Sequence, residues 1–297
     1  MVAILILSLV GWSSGSDLYQ QALQDFQQGR FIEVIDQLGR LPLSEAERPA
    51  SQNLRALALC ELRRYDEALA ASLKACEADR SNMNYVYNLG LIQIAKKDST
   101  AAERLFRDAL VRFPNSSKLH EGLGQSLCSL FQFPEAEKSF RRALEIEPLN
   151  ASAQVAVAKL FYATGDKEKF GQAASRAVEL DSSNYQACYY YGLWLSEYQS
   201  DQTAATKYFE KSIQLYPGFP PALQALGKIR ADHGDWERAL ELYERALSID
   251  SQNRQLFFLA STAYRKLGKT EKADWALREF KALESNANSS AKDLQIP

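Results

Sequence analysis

Residues 84–116 read NYVYNLGLIQIAKKDSTAAERLFRDALVRFPNS. Apolar residues recur three and four apart in both halves, as at Ala102, Phe106 and Ala109, which is the spacing of one face of an α-helix. A short polar stretch separates the halves, and Pro114 ends the second, since proline stops one helix and admits the next. The stretch predicts helix, turn, helix.

Working outward, the same pattern returns at a fixed period. The small residues Ala56, Gly90, Gly124, Ala158, Gly192, Gly227 and Ser261 follow one another at steps of 34, with one step of 35. A second series, Ala68, Ala102, Ala136, Phe170, Ala205, Ala239 and Ala273, keeps the same spacing. A third does so too: Ala75, Ala109, Ala143, Ala177, Ser212, Ala246 and Phe280. Small residues at fixed places in paired helices let their backbones approach closely. Internal repetition at this period marks an array whose units each bury a face only by stacking on a neighbour.

Leu89-Gly90, Ala102, Phe106, Ala109 and Pro114 in one unit, Leu123-Gly124, Ala136, Phe140, Ala143 and Pro148 in the next, and Leu226-Gly227, Ala239, Tyr243 and Ala246 later resemble the tetratricopeptide repeat family. The resemblance covers about nine-tenths of the chain. It implies an all-α fold, a right-handed superhelical solenoid of about eight helix-turn-helix units. The units start near residues 15, 49, 83, 117, 151, 185, 220 and 254, so the solenoid spans 16–284. The first unit is degenerate, with Pro42 cutting its second helix short. The fifth places Phe170 where the family has alanine, which predicts a splayed helix pair. The sixth carries one extra residue, expected near Ser200-Asp201, and the eighth ends with Phe280 and Leu283 as a cap. Residues 285–297 are polar and aperiodic, the composition of a disordered tail.

The N-terminal stretch is of another kind. Val2 to Val10 is apolar apart from Ser8, too short for the ~20 residues of a bilayer span. With Ser13-Ser14-Gly15 behind it, the segment 1–15 fits a signal peptide, although no basic residue precedes the run. A cut after Gly15 would start the mature chain at the solenoid. The expected location is outside the cytoplasm, periplasmic or secreted, with a cytoplasmic protein as the alternative.

What the resemblance implies for function is a binding groove. In the family the first helices line the concave face, with repeat positions 2, 5, 9 and 12 pointing into it. Here those positions give Asn84, Tyr87, Leu91 and Ile94 from the third unit, and Glu121 and Gln125 from the fourth. Val155, Lys159 and Tyr162 follow from the fifth, and Tyr189 and Leu193 from the sixth. Gln224 and Lys228 come from the seventh, and Phe258 and Arg265 from the eighth. Aromatic and aliphatic side chains mixed with cations suit a peptide with apolar anchors. The tyrosine-rich run QACYYYGLWLSEYQ, residues 186–199, is then mostly packing, with Tyr189, and Leu193 one turn on, turned to the groove.

Other classes find little support. A net charge of −2 offers no footprint for a nucleic-acid backbone. Four cysteines, Cys60, Cys76, Cys128 and Cys188, form no CxxC pair and have no histidine cluster beside them, which argues against zinc. They are expected as reduced, mostly buried thiols. No phosphate-binding glycine loop occurs, so no cofactor is expected. His120 and His233 fall in remote repeats, which leaves no nucleophile–base arrangement and no enzymatic activity expected. The chaperone-tail clamp of some family members needs lysine at position 5 and asparagine at position 9, and neither is present. The expected function is a non-catalytic scaffold or adaptor holding a partner peptide in the groove. The alternatives are a structural spacer, a subunit self-associating through its end repeats, or a regulatory module of a separate enzyme.

Overall fold

Helix boundaries in this chain are set by short polar signals. Asn82, Ser116, Asn150, Asn184 and Asn253 each precede a first helix and accept a hydrogen bond from a backbone N–H in its first turn. Asp98, Asp166, Asp201 and Asp235 do the same for second helices. Each satisfies a donor that the helix itself leaves open, worth about 1 kcal/mol. Two first helices without such a cap are opened by proline instead, at Pro49 and Pro220.

A computed structural model describes residues 17–293, with side chains through 285. The apolar segment read as a signal peptide lies outside the described residues. All regular structure among the described residues is helical. The chain divides into two compact units at Leu149–Asn150. The first holds α1 (Asp17–Gln27), α2 (Phe31–Gly39), α3 (Leu43–Ala46), α4 (Pro49–Glu61), α5 (Tyr65–Ala78), α6 (Met83–Ala95), α7 (Ser99–Arg112), α8 (Ser117–Ser129) and α9 (Phe133–Ile146). The second holds α10 (Ala151–Thr164), α11 (Lys167–Leu180), α12 (Tyr185–Tyr198), α13 (Gln202–Leu215), α14 (Pro220–Asp232), α15 (Trp236–Ile249), α16 (Arg254–Lys266) and α17 (Thr270–Asp293).

Within each unit the helices pair as first and second members of a repeat. Each pair closes on a tight turn, in which the residue after the turn donates to a carbonyl five residues back: Asp98 N to Gln93 O at 2.9 Å, Asp235 N to Arg230 O at 2.9 Å. The sixth repeat absorbs its extra residue in this turn. Asp201 N reaches the Leu195 carbonyl, six back, at 3.0 Å.

The core lies between paired helices, and in the second unit it runs on from one repeat to the next. Phe106, Phe140, Phe209 and Tyr243 are fully buried on second helices, each lying against a glycine of the first helix. A Cβ on Gly124 would stand 2.5 Å from the Phe140 ring, and one on Gly227 would stand 2.5 Å from Tyr243. The close approach of each pair therefore depends on the missing methyl. Outer faces carry solvated pairs such as Arg107–Glu103 at 2.9 Å and Arg141–Glu137 at 3.0 Å.

Two expectations need correction. Phe170 does not splay the fifth repeat. It is fully buried, and four residues on, where neighbouring repeats have their aromatic, stands Ala174. The large and small residues have exchanged places one turn apart, so the volume is kept. The polar stretch from 285 does not leave the helix either. α17 continues to Asp293, because Ser285 to Asp293 contains neither proline nor glycine and extending a formed helix costs little.

Candidate functional site

The first helices bear the residues read as a groove, and those of adjacent repeats are tied by hydrogen bonds one period apart. In the first unit, Asn88 Nδ2 donates to Asn53 Oδ1 at 2.9 Å and Lys118 Nζ donates to Asn84 Oδ1 at 2.7 Å. Tyr87 Oη donates to Glu121 Oε1 at 3.1 Å, and Gln125 Nε2 donates to the same oxygen at 2.9 Å. Burial, followed by the nearby Glu121 carboxylate, pushes the Tyr87 phenol well above its ordinary value. Burial draws the Lys118 ammonium below its own. This stretch is thus a polar ladder that fixes neighbouring repeats. Tyr87, Leu91 and Glu121 are buried in it, while Asn84, Ile94 and Gln125 are half-buried.

The second unit is built from rings. Phe170 lies 5.2 Å from Tyr162, 6.4 Å from Tyr190 and 5.9 Å from Tyr198, centroid to centroid. Tyr189 packs edge-on to Tyr190 at 5.1 Å and to Phe219 at 5.2 Å. Trp194 lies over Gly171 of the preceding repeat, where a Cβ would stand 2.2 Å from its Nε1. Tyr189 is half-buried: Phe209 and Phe219 pack against it, and burial raises its phenol far above the usual range. Val155 and Leu193 are buried. Gln224 is half-buried.

Five of the expected groove residues remain open to solvent: Lys159, Tyr162, Lys228, Phe258 and Arg265. Tyr162 is 37% exposed and Phe258 49%. The back of the Tyr162 ring rests on Phe170, and its hydroxyl donates to Glu197 Oε1 at 3.2 Å. Burial, then Glu197, pushes that phenol up to about 12. Phe258 is backed by Phe280 of α17 at 5.6 Å. Both aromatic side chains are therefore held in place with one face free.

Sequence reasoning missed Asn88 and Glu197 as members of this face. The signal was available, because each stands 35 residues from a polar partner in the adjoining repeat.

The groups considered for chemistry are engaged with backbone. A His120 ring nitrogen lies 3.0 Å from the Pro114 carbonyl, and a His233 ring nitrogen 2.7 Å from that of Ile229. All four cysteines are free thiols, Cys60 and Cys188 buried, Cys76 and Cys128 half-buried. Burial pushes Cys60 up to about 12 and Cys76 up to about 11, far from the thiolate range of reactive cysteines. Among the described residues no cluster of histidine, cysteine and carboxylates could hold a metal ion. No helix among them is long and apolar enough to cross a membrane.

Comparison with known proteins agrees with the architecture. Models of the tetratricopeptide repeat match residues 53–117, 121–187 and 220–253. A CTR9 homolog of Arabidopsis thaliana is 24% identical over 251 residues, which is 81% of this chain and 23% of that protein. The chain thus spans about a quarter of that relative's length. The crystal structure of the Cut9–Hcn1 hetero-tetramer superposes with a TM-score of 0.66 at 18% identity, over 90% of this chain and 60% of the other. PilF of Pseudomonas aeruginosa superposes with a TM-score of 0.57 at 19% identity, over 68% of this chain and 96% of the other.

Proposed function

Because the chain belongs to the tetratricopeptide repeat family, whose members are of the protein–protein interaction scaffold type, we propose that it is a non-catalytic adaptor holding a segment of a partner protein against the first helices of residues 150–293. The observation that carries this reading is the partial exposure of Tyr162 and Phe258, two rings at groove positions with rigid backing. An aromatic side chain that is already immobilised loses little entropy on binding, which is why such side chains dominate the energy of interfaces. The first unit contributes differently. There Tyr87, Glu121 and Gln125 are spent on a hydrogen-bonded ladder that fixes neighbouring repeats of that unit.

The test is site-specific photo-crosslinking. A benzophenone amino acid is placed singly at Tyr162 and Phe258, and for comparison at Leu215 and Val111, exposed on second helices. Irradiation in extract of the source cells is expected to give discrete protein adducts from the first pair and none from the second. Adducts confined to the second-helix positions would move the binding surface to the outer face.

A further inference from the structure

The groove reading above leaves the chemistry of the bound segment open, and the distribution of charge in the second unit addresses it. Its first helices, α10, α12, α14 and α16, carry six cations, Lys159, Lys228, Arg230, Arg254, Arg265 and Lys266. Against them stand only Glu197 and Asp232. The chain as a whole has net charge −2, so this is a local cationic face on a slightly acidic protein.

The cations divide by position. Those off the groove register are engaged: Arg230 pairs with Glu210 at 2.9 Å, Arg254 pairs with Glu284 at 3.6 Å, and Lys266 lies 5.7 Å over the Trp236 ring. Lys159 and Lys228, at the ninth position of their repeats, and Arg265, at the twelfth, are exposed. Among the described residues they have no side-chain hydrogen bond, ion pair or ring contact. Of the two acids, Glu197 already accepts from Tyr162. Lys159 and Tyr162 are three residues apart on α10, and Phe258 and Arg265 seven apart on α16, so each exposed ring shares a helix face with an unpaired cation.

Resting on the groove reading, we propose that this face takes an acidic segment of a partner protein. Its carboxylates meet Lys159, Lys228 and Arg265, and its apolar side chains pack on Tyr162 and Phe258. Charge complementarity selects this occupant, because carboxylates gain attraction here without first breaking an internal pair. The cations are interrupted by the rings and by the apolar site of Leu193. That pattern matches a chain of mixed side chains better than the uniform charge of a phosphodiester backbone.

The experiment pans a phage-displayed library of random dodecapeptides on the immobilised full chain. Enriched sequences are resynthesised with fluorescein and titrated by anisotropy. The expected result is enrichment in Asp and Glu together with Phe and Leu. Affinity should fall about tenfold in the K159Q/K228Q/R265Q variant and again as salt rises, while K207Q/R238Q on second helices leaves it unchanged. Circular dichroism establishes that each variant is folded. Enriched peptides that are neutral or basic, or acidic ones indifferent to the groove variant, overturn the proposal. So does a single-stranded DNA oligonucleotide that displaces the peptides at lower concentration. Non-acidic peptides that lose affinity with Tyr162→Ala and Phe258→Ala would sink the charge assignment and leave the groove standing. No enrichment at all would sink both.

Discussion

At the turn between its two helices each repeat requires one residue in the left-handed region. Gly29, Gly165, Gly234 and Gly268 supply it in four repeats, at φ between 72° and 79°. Arg63, Lys97, Phe131 and Ser200 occupy the equivalent place in the other four, at φ between 54° and 70°. A side chain there costs about 1–2 kcal/mol, of which glycine's greater loss of freedom on folding returns part. Lys97→Gly is therefore expected to stabilise the protein by about 0.5–1 kcal/mol, read as a higher urea midpoint at constant slope. Gly165→Ala is expected to lower it by about 1 kcal/mol. Space around Gly165 is open, so a loss there reports backbone conformation alone. Equal midpoints for both variants would remove the left-handed requirement as an energetic term. The glycines were visible in the sequence. That four unlike side chains share their conformation was not, since nothing in Arg63 or Phe131 announces a positive φ.

Between helices the governing rule is a pairing of glycine with an aromatic ring. Gly90, Gly124, Gly192 and Gly227 face Phe106, Phe140, Phe209 and Tyr243. Where the first helix has Ala158, the second has Ala174, and its ring has moved to Phe170. The displaced ring lies among Tyr162, Tyr190 and Tyr198, which accounts for the tyrosine-rich run in α12. Phe170→Ala should cost about 3–5 kcal/mol, as for other large core truncations. Adding Ala174→Phe should fail to restore stability, because Ala158 occupies the space. Adding Ala158→Gly as well should recover part of it. Thermal melts of the three variants decide this, and full rescue by the double mutant would refute the pairing rule.

The same cluster makes an alkaline prediction. Burial raises the Tyr189 and Tyr190 phenols far above their ordinary value, while in the unfolded chain they titrate near 10. The folded state then holds protons that the unfolded state loses. Their contribution is complete below about pH 10 and falls above it by about 1.4 kcal/mol per pH unit for each tyrosine. The urea midpoint should be flat from about pH 8 to 10 and drop beyond, with the ring signals of Tyr189 and Tyr190 remaining those of the protonated phenol for as long as the protein stays folded. Titration of these phenols near pH 10 in the folded protein would sink the prediction.

On the scale of the whole chain, the period was legible because each repeat solves one packing problem with the same residue types. The first helices start at Pro49, Met83, Ser117, Ala151, Tyr185, Pro220 and Arg254. The fate of the groove residues was less legible. From the third unit on, position five reads Tyr87, Glu121, Val155, Tyr189, Gln224 and Phe258; the first three are buried, Tyr189 and Gln224 half-buried, and Phe258 exposed. Repeat register fixes which way a side chain leaves its helix. Its exposure depends on what the adjacent repeat places beside it, and that residue lies 34 or 35 positions away in sequence.

The same locality predicts how damage spreads. Inside each unit the substantial contacts of a helix are with its neighbours and next neighbours in chain order, apart from α1 with α4 across the short α3. Stability in such an array is a sum of repeat and nearest-neighbour terms. Phe209→Ala, which empties the centre of the α12–α13 pair, should therefore speed amide exchange in α10 to α15. Protection in α4 to α7 should be unchanged. Hydrogen exchange resolved by peptide reads both regions in one experiment. Uniform loss of protection along the chain would mean that it unfolds as a single cooperative block, with stability no longer assignable to neighbouring repeats.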